Sequence, residues 1–118
     1  MVEESVKIIW EIIFFESSRG ERIVENFILA QQDITQAKIG NEIDLLEKHG
    51  PFLGMPHSKK LNSQLYELRI RGKQEVRIIY AFMGKKIYLL HAFRKQTQKT
   101  PAKELVIAQH RLNLLLTP

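Results

Sequence analysis

The sequence contains no cysteine. Disulfides, zinc–thiolate sites and a thiol nucleophile are therefore all excluded. Histidine is sparse as well: His49, His57, His91 and His110 are the four, and no two stand at a metal-ligand spacing such as H-x3-H. No metal site and no small-molecule cofactor are expected. Long apolar runs are missing too, and none approaches the ~20 residues that a membrane span requires. The N-terminal stretch MVEESVKIIWEIIFF places Glu3 and Glu4 ahead of its apolar part, unlike the basic start of a secretory signal. A soluble, cytoplasmic chain is the expectation. There is no internal repeat, low-complexity tract or linker, and 118 residues suit one domain, residues 1–118.

What the sequence does have is an uneven distribution of charge. Residues 1–58 carry five Lys or Arg against ten acids, whereas residues 59–118 carry thirteen against three, for a net charge of +5. A pI near 9.6 with the positive charge gathered in one half is the profile of a polyanion binder. The alternative from composition alone is a basic protein with no such partner, so the placement of the charges has to decide.

The hydropathy pattern reads as an α+β fold. Residues 6–15 have the β-branched and aromatic content of a buried strand, in which Trp10 and Phe14 share the core-facing parity. A helix is expected from about Glu21, with Val24, Phe27 and Ile28 on one face. A second is expected from Asp33, where Asp33 and Gln36 have capping-box spacing and Ile39, Ile43 and Leu46 form the stripe. Gly50-Pro51 ends it. Residues 50–60 read as a Gly- and Pro-rich loop. Three strands then follow, LYELRIR, residues 75–82 and residues 87–93, the last two joined by a hairpin turn at Met83-Gly84-Lys85-Lys86. Thr100 as N-cap and Pro101 at the first helical position open a final helix with Leu105, Ala108, Leu112 and Leu115 inward. The expected order is β-α-α-β-β-β-α, a small sandwich with a mostly antiparallel twisted sheet and helices on one face.

Alternation places Glu67, Arg69 and Arg71 on the sheet face away from the helices, and Arg77 on the same face of the next strand. Neighbouring arginines repel one another unless an anion is expected, and their planar forks suit phosphate. The segment from His91 to Pro101, HAFRKQTQKTP, adds Arg94, Lys95 and Lys99 close to a helix N-terminus. Lys59, Lys60 and Lys73 extend the basic surface. A solvated strand face, with Glu67 paired to one arginine, is the plainer explanation. Parity groups Tyr80 with Val76 and Ile78, and His91 with Ile87, Leu89 and Phe93, so both are core residues first and site candidates second. His49, His57 and His110 are assigned no chemistry.

Four ordered pieces carry a family resemblance: Leu65-Tyr66-Glu67-Leu68-Arg69, Arg77-Ile78-Ile79-Tyr80, Leu89 to Lys95, and Lys99-Thr100-Pro101. The helix exit from Ile43 to Pro51 extends it over nearly the whole chain. Together they resemble the RelE/HigB toxin superfamily, in particular its phage-derived HigB-like branch. The branch usually has two lysines after the last strand's Phe-x, whereas here Gln96 follows Lys95. The resemblance implies a RelE-like fold and the toxin of a type II toxin–antitoxin system. It also implies a metal-independent endoribonuclease that enters the ribosomal A site and cuts mRNA by attack of a ribose 2′-OH. The implied partner is a cognate helix-turn-helix antitoxin. On this reading Arg69, Arg77 and Lys95 are the catalytic candidates, with Lys59, Lys60, Arg71, Lys73, Arg94 and Lys99 on the RNA. A non-catalytic toxin of the ParE-like, gyrase-poisoning kind and a plain RNA-binding module are the alternatives.

Overall fold

A computed structural model describes residues 9–117 of the chain. The elements run β1 (Glu11–Phe14), α1 (Ile23–Leu29), α2 (Asp33–His49), a short 3-10 turn (Gly50–Phe52), β2 (Ser58–Lys60), β3 (Tyr66–Ile70), β4 (Val76–Met83), β5 (Lys86–Arg94) and α3 (Ala102–Leu116). The strands form one five-stranded sheet in the order β1-β5-β4-β3-β2. β1 pairs with β5 in parallel, and the other pairings are antiparallel. The α+β class and mostly antiparallel sheet stand as expected, with one strand more than the pattern gave. That strand, β2, lies inside the stretch read as loop. Only three residues long, it is too short for an alternating pattern to register, and its pairing to β3 defines it. Of the first expected strand, residues 6–8 lie outside the described residues, and the ladder begins at Glu11.

The helices divide between the two faces. α1 and α2 cover the face of Leu68, Ile70, Ile78 and Tyr80, where Ile39 and Leu46 are fully buried at a seven-residue, two-turn interval. The same face holds an aromatic group: Tyr66 stacks on Tyr80 at 5.5 Å, and Phe82 meets Tyr66 and Trp10 edge-on at 5.2 and 5.5 Å. α3 lies on the other face. Its Glu104 reaches His91 on β5, and Arg111 donates to the Leu90 carbonyl, while Ala108 and Leu112 are buried beneath it. The face read as open is therefore partly roofed.

Two local expectations fail for identifiable reasons. Asp33 is the first residue of α2 rather than its cap, and no side chain caps the helix. Gln36 instead turns back to the carbonyls of Gln31 and Leu29, at 2.8 and 3.2 Å. Thr100 likewise does not cap α3, whose N-cap is Pro101, because its hydroxyl is taken by Glu67. The two-residue β4–β5 turn does form at Gly84, with φ of 63°, where the absent Cβ relieves the steric cost. At the end of α2, Gly50 has φ of 53°, and a Cβ there would sit 2.3 Å from the Trp10 indole nitrogen.

Candidate functional site

Strand pairing puts Arg69 directly opposite Arg77. Two arginine side chains on one sheet face, side by side, require negative charge between them. Glu67 supplies it: its Oε1 lies 3.5 Å from Arg69 Nε and 3.4 Å from Arg77 Nε. Its Oε2 accepts the Thr100 hydroxyl hydrogen. Glu75 takes a second edge of Arg77, Nη2 to Oε2 at 3.1 Å. Arg77 is thus a buried cation held by two carboxylates. Its Nη1 has no hydrogen-bond partner among the described residues, so the guanidinium keeps unspent donor capacity inside a charged cluster. Burial lowers the Arg77 pKa, and Glu67 and Glu75 oppose the shift.

The positive side chains collect around this core in two adjoining clefts. One is lined by Lys59, Lys60, Arg69, Lys95, Lys99 and Thr100. The other joins Arg69 and Lys95 to Arg71, Lys73, Arg77 and the loop from Gln96 to Gln98. Arg69 and Lys95 line both, which makes them the centre of the basic surface. Lys95 is positioned by its backbone, whose N–H donates to the Glu75 carbonyl at 2.9 Å and so extends the β4–β5 ladder. Partial burial lowers the Lys95 pKa first, and Arg77 and Arg69 lower it further against Glu67 and Glu75. A lysine so placed is a better proton carrier near neutrality than a free one.

The remaining candidates separate. Arg94 belongs to the other face, where its Nε donates to Gln31 Oε1 at 3.3 Å, so it is not part of the basic surface. Lys60 lies over the Tyr66 ring at 5.8 Å, whereas Lys59 pairs across from Glu67. Tyr80 is a core residue. Its hydroxyl is bonded to Ser58, and burial pushes its pKa up to about 12. His91 lines neither cleft; Nε2 meets Glu104 at 3.0 Å, and burial lowers its pKa despite that carboxylate. The parity that grouped His91 with Ile87 and Leu89 breaks at a bulge. Tyr80 pairs with Leu89 but Ile79 pairs with His91, so Leu90 is the extra residue and the two groups face opposite ways.

Thr100 and the full part of Glu67 are what sequence reasoning missed. A lone acid among arginines on one strand face was the available signal for Glu67. Nothing in the local sequence joins Thr100 to it, because their contact is made across the fold. No group of side chains suited to a metal ion is gathered among the described residues, and no described helix is long and apolar enough to cross a membrane.

No curated protein matches the chain. A family model, Phage derived protein Gp49-like (DUF891), matches residues 26–113. That span runs from within α1 through most of α3 and contains every residue of the two basic clefts. With three quarters of its length matched and a RelE-like α+β architecture, the chain belongs to the Gp49-like family of phage-derived proteins, a RelE-like family associated with toxin–antitoxin systems.

Proposed function

We propose that the chain is the toxin of a type II toxin–antitoxin pair, and that it cuts mRNA on the ribosome without a metal. The observation that carries this reading is the convergence of Lys59, Arg69, Lys95 and Lys99 on one cleft beside a buried Arg77–Glu67 pair. Such an arrangement offers donors and positive charge to a phosphate and to the extra charge it gathers in a transition state. In the reaction, a ribose 2′-oxygen attacks the adjacent phosphorus while the bond to the 5′-oxygen breaks. The 2′-hydroxyl proton leaves to a base and the departing 5′-oxygen takes one from an acid. The products are a 2′,3′-cyclic phosphate and a 5′-hydroxyl. Arg69 binds the phosphate, Lys95 carries a proton, and Lys59 and Lys99 hold the flanking backbone. Arg77 acts from below, through Glu67 and through its field on Lys95. A helix-turn-helix antitoxin is the proposed partner, and the cytoplasm the place of action.

The test is to induce the chain alone and follow growth and transcript integrity, beside an Arg69→Ala/Lys95→Ala variant of matched solubility. Arrest with cuts inside reading frames, both lost in the variant, is the expected result. Arrest with intact transcripts favours a gyrase-type toxin. RNA binding without arrest or cleavage points to a plain RNA-binding module.

A further inference from the structure

Cleavage by a 2′-oxygen needs two proton carriers, and Lys95 accounts for one. Attack and departure at phosphorus run roughly in line, so the second carrier belongs on the opposite side of the phosphate from the first. Arg69 lines a third cleft besides the two basic ones. This cleft has a volume of about 300 Å³ and lies between α2, the segment before β2 and the end of β3. In the strand order β5-β4-β3-β2, Lys95 follows β5, Arg69 sits on β3, and the third cleft opens on the β2 side. The residue that meets Arg69 there is His57, whose carbonyl accepts the Arg69 N–H at 2.8 Å, one step beyond the β2–β3 ladder.

The His57 ring is held from one side only. Both Glu42 oxygens engage its Nδ1, at 2.9 and 3.2 Å, and Nε2 has no hydrogen-bond partner among the described residues. The side chain keeps 38% of its surface exposed, so a ligand in the cleft can reach it. The charged groups facing it are Lys38 and Glu42 from α2 and Arg69 and Arg71 from the β3 side. The Lys38 amine lies against the end of β3, where a Cβ on Gly72 would come within 2.9 Å of Nζ. Three cations and one carboxylate therefore surround a histidine whose other ring nitrogen is unspent. We propose that His57 is the general acid of the cleavage and that Glu42 is its positioning residue, an inference that rests on the RNA-cleaving reading of the basic surface.

Imidazole suits the task because it both holds and releases a proton near neutrality. A carboxylate on one ring nitrogen fixes the orientation and leaves the other to the substrate, as in other paired histidines. With the phosphate on Arg69, Lys95 as the neutral amine takes the 2′-hydroxyl proton while the 2′-oxygen bonds to phosphorus. The bond from phosphorus to the 5′-oxygen breaks, and that oxygen takes the proton from His57 Nε2. The step leaves Lys95 protonated and His57 neutral, and exchange with water resets both. Lys38 and Arg71 hold the RNA backbone on the leaving side.

The test uses the full chain and ribosomes carrying one mRNA in two forms, all-oxygen and with sulfur replacing the bridging 5′-oxygen at the mapped cut. A thiolate is a far weaker base than an alkoxide and leaves without being protonated, so the sulfur form needs no acid. His57→Ala is expected to slow cleavage of the all-oxygen form by about 100-fold or more. It should cut the sulfur form near the wild-type rate, which also shows that the variant is folded. Glu42→Gln slows the all-oxygen form less and is rescued by the same sulfur, whereas Arg69→Ala loses both forms. Unchanged cleavage in His57→Ala, or a loss that sulfur does not restore, overturns the acid and leaves the ribonuclease. Rescue of Lys95→Ala in place of His57→Ala gives the acid to Lys95 and overturns the assignment too. Failure of the wild type to cut either form removes the ribonuclease reading and this inference with it.

Discussion

Arg77 and Lys95 show how one charged cluster divides support from chemistry. Arg77 is 2% exposed and shared by two carboxylates. Removing it leaves the buried Glu67 with Arg69 as its remaining ion-pair partner, at 3.5 Å, beside the Thr100 hydroxyl. Arg77→Ala is therefore expected to cost on the order of 3 kcal/mol in urea unfolding, the usual result of stranding one partner of a buried pair. Lys95 behaves oppositely. Its pKa is lowered by burial and by neighbouring arginines, so the folded state holds its proton less tightly than the unfolded chain does. The resulting penalty is present in full below the folded-state pKa and fades as pH rises toward the unfolded value. Lys95→Met should thus raise the urea midpoint at pH 7 while abolishing cleavage, and the gain should shrink in alkaline buffer. If Lys95 is the base, wild-type cleavage rises with pH along a limb centred below the ordinary lysine value, and Lys95→Arg loses that limb. The sequence singled out Arg69 and Arg77 because charge on a strand face stands out, and Lys95 because the segment between β5 and α3 is crowded with cations. It did not disclose that Arg77 is enclosed, since its burial depends on α3 packing against β4 from across the fold.

Thr100 ties the start of α3 to the sheet through Glu67. Because the acceptor is a buried carboxylate, Thr100→Val is expected to cost about 2 kcal/mol and to release the segment that carries Lys95 and Lys99. Amide hydrogen exchange over Gln96 to Lys99 should quicken in the variant while β4 stays protected. At the far end, Gly50 closes α2 with a backbone that disfavours any side chain, against the Trp10 indole. Gly50→Ala should lose at least ~2 kcal/mol, read as a lower thermal midpoint. That helix stop was legible in Gly50-Pro51, as were the stripes of α2 and α3. The bulge at Leu90 was not. A strand read by strict alternation has no means of registering one extra residue, and the faces of Ile87 and His91 were confused for that reason.

Across the whole molecule, positive charge lies in the half of the sequence that builds β2 to α3. The structure gathers much of it into adjoining clefts. If Lys59, Arg69, Lys95 and Lys99 each neutralise one RNA phosphate, the logarithm of the binding constant should fall with the logarithm of salt at a slope of about −3. A filter-binding series gives that slope directly, and a flat response removes the cleft as the RNA surface. The architecture also dictates an order of assembly. Glu11 pairs with Lys86 and Phe14 with Leu89, so the first strand joins the sheet only after about three quarters of the chain has been made. The β3–β4–β5 meander, by contrast, closes through short connections. Distant pairings form late because the loop entropy is lost before the contact rewards it. The sheet therefore stays incomplete until β5 has been made, which leaves an interval in which the proposed antitoxin, if already present, would meet the chain before β1 is paired.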